Sequence, residues 1–93
     1  MREIRRTRDF KRDYKRERSG PLARELETLV AETVAMLAND QALPDRFHDH
    51  ALSGPWREYR DCHVRPDLVL IYRMPDETTL ELIRLGSHSE LGL

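Results

Sequence analysis

Leu68-Val69-Leu70-Ile71-Tyr72 is the segment that leaves this chain the fewest options. Successive side chains of an extended chain alternate between faces, so five apolar residues in a row need cover on both sides. The segment therefore predicts a central strand with helices over at least one of its faces. Two further strand-like runs flank it, "WREYRDCHV" over 56–64 and "TTLELIRL" over 78–85, with the middle run extending to "LVLIYRM" over 68–74. "RPD" and "PDE" separate the three. Turns that short imply an antiparallel meander. The tail "GSHSELGL" leaves the sheet through Gly86.

The first half supplies the cover. Ile4 sits in "REIRR", which reads as an edge strand, and Thr7 is placed to cap a first helix. Phe10 and Tyr14 fall four apart on one face of that helix. "SGP" over 19–21 breaks it: Gly20 suits the left-handed residue after a helix, and Pro21 suits the first position of the next. From Pro21 to Ala38, Leu22, Leu26, Leu29, Val30, Thr33 and Leu37 recur at helical spacing and form a core-facing stripe. Two helices joined so tightly predict an antiparallel hairpin. Then "NDQALPDRFHDHALSGPW" reads as a long irregular connection, and long loops inside compact domains are often functional. The order is β-α-α-β-β-β. It describes a single α+β domain over 1–93, with an antiparallel sheet packed against an N-terminal helical hairpin.

Composition narrows the partners. The chain is 39% hydrophobic and 35% charged, as a globular domain should be. No apolar run approaches the ~18 residues of a membrane helix, and "MREIRRTRDF" has no apolar segment behind its charges, unlike a secretory signal. Cys62 is the only cysteine, which excludes an internal disulfide and fits a reducing compartment. The reading is a cytoplasmic protein without a membrane partner. A net charge of −1 hides an asymmetry: residues 1–18 hold nine basic side chains against four acidic, the remainder seven against thirteen. A basic segment on an acidic body suits a polyanion at one face. The same charges would also serve as a solvated helix laced with ion pairs.

The histidines carry the chemistry. His48, His50, His63 and His88 all fall on loops or strand ends, with Asp61 and Asp67 close to His63 in "DCHVRPD". On a strict strand count His88 lies at the opposite edge of the sheet, and it reaches His63 only if strand order or the tail brings it across. His48-Asp49-His50 with His63 offers metal ligands but matches no familiar zinc spacing. Cys62 and His63 point to opposite faces of a strand and cannot act as a nucleophile–base pair. Acid–base chemistry fits better: imidazoles tuned by carboxylates move protons near neutral pH, and Arg60, Arg65 and Arg84 would hold a phosphate. These are the parts for cleaving RNA through its own 2′-hydroxyl, with no metal or cofactor required.

"DHALSGPWREYRDCHVRPDLVLIYR" followed by "LIRLGSHSEL" closely resembles the YafQ branch of the RelE/ParE superfamily of bacterial toxin–antitoxin toxins. The resemblance implies a RelE-like fold. It also implies an endoribonuclease (an mRNA interferase) that enters the ribosomal A site and cuts messenger RNA during translation. The cognate antitoxin would wrap the toxin, and operator DNA would be bound only through that complex. The catalytic set it implies maps onto His50, His63, Asp67 and His88, with Asp61 and Arg84 in support. His88 would protonate the leaving oxygen, and Asp67 with His50 or His63 would take the 2′-hydroxyl proton. On a ribosome Arg5, Arg8, Lys11, Arg12, Lys15 and Arg16 would contact ribosomal RNA, as would Arg60 and Arg65 beside the site. Gly92 stands where the family usually has a tail aromatic able to stack on a base. Trp56 and Tyr59 read as core or sheet-face packing, Tyr72 as core, and His48 as a polar loop residue. A non-enzymatic ParE-type toxin that binds DNA gyrase is the alternative function. An inactive relative kept as a repressor component is a third.

Overall fold

The computed structural model describes all 93 residues. Its elements run β1 (Glu3–Arg6), α1 (Arg8–Glu17), α2 (Leu26–Ala38), β2 (His50–Ala51), β3 (Arg60–Arg65), β4 (Leu68–Arg73), β5 (Thr79–Gly86) and α3 (His88–Leu91). The five strands form one sheet in the order β1-β5-β4-β3-β2. β4 is thus the middle strand, with its five apolar residues all buried, as two-sided apolarity requires. One face of the sheet carries Cys62, Val64, Leu68, Leu70, Tyr72, Leu80, Leu82 and Leu85. These pack with Phe10 of α1 and with Leu26, Val30, Val34 and Leu37 of α2. No helix is long and apolar enough to cross a membrane.

The α+β class and the meander of β3, β4 and β5 agree with the sequence reading. The sheet, however, is not wholly antiparallel, because β1 pairs parallel to β5. α1 and α2 carry the chain from β1 at one edge to β2 at the opposite edge, and the meander then leads back to place β5 beside β1. Two short elements have no counterpart in that reading, the two-residue β2 and the four-residue α3. Thr7 caps α1 as expected, its Oγ1 accepting from the Phe10 amide at 3.2 Å. Gly20 is not left-handed, since only Gly54 and Gly92 among the glycines have positive φ. Residues 21–25 form turns rather than helix, and α2 begins at Leu26 instead of Pro21. Trp56 corrects another expectation: it lies in a 3₁₀ turn with 40% of its surface exposed, packed edge-on against Tyr59 at 5.2 Å. Tyr72 is core, 1% exposed.

β1 covers β5 only from Thr79 to Leu82, which leaves the end of β5 without a strand neighbour. Side chains of α1 take over the pairing. Thr7 bonds the Leu82 and Ile83 carbonyls, Asp13 accepts from the Leu85 amide at 3.0 Å, and Arg16 donates to the Leu85 carbonyl at 2.8 Å. A bare edge is a liability, and here a helix closes it. Gly86 makes the approach possible: a Cβ there would stand 2.7 Å from Arg16 Nη2.

Candidate active site

The register of the sheet brings the histidines together. His63 pairs with Val69, and Val69 with Gly86, so the ends of β3 and β5 are separated by one strand, about 10 Å at ordinary spacing. Ser87 then starts α3 through a reciprocal capping box with Glu90, which turns the chain back and sets His88 at the first helical position. The His63 and His88 rings meet edge to face, centroids 4.9 Å apart. The gap posed by the strand count is closed by this turn.

Asp67 completes the pair. It lies in the tight turn between β3 and β4, and its Oδ1 accepts both from His88 Nδ1 at 2.9 Å and from the His88 backbone amide at 3.1 Å. The His88 ring bond, reinforced by the amide, holds the Asp67 carboxyl below the ordinary carboxylate value. Asp67 is thus hydrogen-bonded to His88, where the resemblance implied a partnership with His50 or His63. With Nδ1 bound to a carboxylate, the Nε2 of His88 is its free ring nitrogen.

His50 stands on β2 opposite Asp61 of β3. Its Nδ1 lies 2.6 Å from the His48 carbonyl, which can only accept, so Nδ1 carries the proton and Nε2 is again the free atom. Asp61 is 4% exposed. Its Oδ1 lies 3.2 Å from His50 Nδ1, yet it has no hydrogen-bond donor, because that proton is directed at the carbonyl. His63 is partly buried, and burial lowers its pKa; His88, His48 and His50 lower it further, while Asp61 opposes them. A neutral His63 is the result. Asp49 holds this loop in place by accepting from Tyr72 Oη at 2.6 Å and Arg60 Nε at 3.3 Å.

The cations are less free than the sequence suggested. Arg84 lies on the sheet row of Asp61 and Ile71, but its Nε donates to Asp13 at 2.6 Å. Arg60 is turned toward Asp49 and Tyr72, and Arg65 pairs with Glu25 at 3.0 Å. Arg16 is bound to Asp13, Glu17 and Glu90 and is a cross-link of the fold rather than a loose surface charge. Arg5, Arg8, Lys11, Arg12 and Lys15 are exposed. Asp13 itself is fully buried. Burial alone would raise its pKa, but the Arg84 bond, the Leu85 amide and the Arg16 charge together hold it below the ordinary value.

Nothing in the sequence marks Asp13, and His48 and Asp49 stand out there only as possible metal ligands, without the contacts they make here. By sequence His48 is only a polar loop residue, yet its ring centroid stands 5.3 Å from that of His63. No three His, Cys, Asp or Glu side chains are arranged to share a metal ion. A cleft of about 730 Å³ lies between α1 and α2 around Phe10, Tyr14 and Leu26, away from the histidines. The imidazoles sit on open surface, with the His50 and His88 side chains 55% and 40% exposed.

The chain matches the family described as bacterial toxin of type II toxin–antitoxin system, YafQ, over residues 2–92. It is 48% identical over 60 residues to a putative toxin YafQ of Haemophilus influenzae, covering 61% of this chain and 59% of that protein. It is 43% identical over 56 residues to the mRNA interferase toxin YafQ of Escherichia coli K12, covering 60% of each. The chain thus spans about three fifths of the length of the curated relatives it matches. The E. coli DinJ–YafQ toxin–antitoxin complex superposes with a TM-score of 0.83 at 31% identity, over 97% of this chain and 96% of that one.

Proposed function

The chain belongs to the YafQ family of toxins of bacterial type II toxin–antitoxin systems, and from that membership we propose that it is a ribosome-dependent endoribonuclease. It cuts messenger RNA in the ribosomal A site by acid–base catalysis without a metal. The observation that carries the reading is the meeting of His63 with His88, the latter oriented by Asp67. The E. coli relatives named mRNA interferase and DinJ–YafQ support the substrate class and a cognate antitoxin as partner. Operator DNA would be bound only by the toxin–antitoxin complex. The site's openness suits a polymer delivered by another body, because the imidazoles have no enclosing pocket of their own.

The chemistry needs two proton transfers. A neutral imidazole takes the 2′-hydroxyl proton as the 2′-oxygen attacks the adjacent phosphorus. The phosphorane collapses by breaking the bond to the 5′-oxygen, which receives a proton from the second imidazole. The products are a 2′,3′-cyclic phosphate and a 5′-hydroxyl. His63 suits the base, since its surroundings favour the neutral form. His88 suits the acid, since in its imidazolium form Asp67 holds Nδ1–H and the proton on Nε2 is the one to donate. His50 shares its rung with Asp61 and supports the scissile nucleotide, and Arg84 lies on the same row.

The test is translation in a reconstituted system with RNA 3′ ends mapped. Cleavage should require ribosomes, survive chelation of divalent transition metals, and fall about 10²- to 10⁴-fold on His88→Ala or Asp67→Ala. Undiminished toxicity in those variants, with gyrase-linked DNA breaks, would instead favour a gyrase-binding toxin.

A further inference from the structure

We infer that His48 is a phosphate-contacting residue of this site, its imidazole binding the RNA phosphodiester beside His63. The inference rests on the RNA-cleaving reading above and adds a residue to it.

Four observations converge on His48. First, its backbone is left-handed, with φ +48. That conformation is uncommon outside glycine, though histidine is among the residues that adopt it most readily. It terminates the 3₁₀ turn Asp45–Phe47, and Phe47 just before it is buried in the core. The apolar anchor and the turn thus fix where the His48 side chain leaves the surface. Second, the ring arrives 5.3 Å from His63, at 51° to it, while His63 also touches His88. Third, the His48 carbonyl receives the His50 Nδ1 proton, so one residue orients a second imidazole while presenting its own.

The fourth observation is electrostatic. A phosphorane gains negative charge that must be matched, and groups poised for that charge supply much of the rate. The guanidiniums expected to do this are engaged elsewhere: Arg84 with Asp13, Arg60 with Asp49 and Tyr72, and Arg65 with Glu25. His48 is exposed, and neither ring nitrogen is committed within the protein. His63 of β3 stands beside it, Asp49 follows it in the loop, His50 of β2 bonds its carbonyl, and His63 in turn touches His88. Two of these, His63 and His88, are assigned to proton transfer. Of the imidazoles outside that pair, His48 is the one whose ring lies against His63.

The experiment compares His48→Asn with His48→Arg, both in ribosome-dependent cleavage and in binding of inorganic phosphate followed by the His63 ring proton signals. Asparagine also accepts left-handed φ, so the turn is kept while the imidazole is removed. His48→Asn should slow cleavage about 10- to 100-fold, the worth of one charge-assisted hydrogen bond. It should weaken phosphate binding in parallel, and His48→Arg should restore both to within a few-fold. Full activity in His48→Asn, with His88→Ala inactive, would overturn the inference and leave the nuclease reading standing. So would an Arg variant as slow as Asn. A wild type that cleaves no RNA, yet loses phosphate binding on His48→Asn, would sink the nuclease reading and keep the anion site.

Discussion

Asp13→Ala removes the one fully buried carboxylate and should be among the most destabilising single changes in the chain. The carboxylate receives Arg84 Nε at 2.6 Å, Arg16 Nη1 at 3.1 Å and the buried Leu85 amide at 3.0 Å. The two guanidiniums are 23% and 39% exposed, so water rehydrates them when the carboxylate is removed. Their bonds are therefore taken at the low end, about 1 kcal/mol each. The Leu85 amide has no such recourse, and an orphaned buried donor costs about 1–3 kcal/mol. Together the loss is roughly 3–5 kcal/mol, a large part of the roughly 5–14 kcal/mol that a domain of this size holds. Calorimetry at neutral pH should show Tm lower by roughly 15–25 °C, and urea unfolding should show a matching fall in midpoint. The sign with pH follows from the depressed Asp13 pKa. Its stabilisation is present above the ordinary carboxylate pKa of 3.8 and is lost as pH falls through the lower folded value, so wild type and variant converge in acid. A loss under about 1 kcal/mol at neutral pH, as expected for the exposed Asp9–Arg12 pair, would refute the reasoning.

The pH profile of cleavage should rise with a midpoint below the ordinary imidazole value of 6.5, because His63 is held neutral. Asp61→Asn removes the one group that opposes this and should move the rise lower still; an upward shift would contradict the assignment. Neutralising Arg12 and Lys15 should weaken ribosome association and flatten its salt dependence, by about one unit of log–log slope for each phosphate no longer neutralised, without changing Tm. Adding Arg16 to that set should lower Tm as well, since it bonds the Leu85 carbonyl. Cys62 is fully buried, and burial raises its thiol pKa well beyond the usual range. Alkylation should therefore track global unfolding in urea; rapid modification of the native protein would argue against the packed β3.

What the sequence can reveal depends on how local each cause is. Two-sided apolarity at Leu68–Tyr72 and the Thr7 cap are written in neighbouring residues, and both appear as read. Pro21 misleads because proline suits a turn as well as a first helical position, and here Pro21 begins the turns that precede Leu26. α3 is legible after all: Ser87 and Glu90 have the spacing of a capping box. The two residues of β2 form no pattern of their own and exist because His50 and Ala51 find Asp61 and Arg60. The partner of Asp67 is hidden for a similar reason, since it depends on the register of β4 against β5. Asp13 is hidden differently. On a helix crowded with charges it looks solvated, and only the unpaired end of β5 gives it a buried role.

Cleavage of a message carrying a single 2′-deoxynucleotide at the scissile position puts the central chemistry to the most direct test. If imidazoles only carry protons and the RNA supplies its own nucleophile, that message should stay intact on the ribosome while the all-ribose control is cut to a 2′,3′-cyclic phosphate. Cleavage of the deoxy-substituted message, or ends bearing a 3′-hydroxyl, would contradict it.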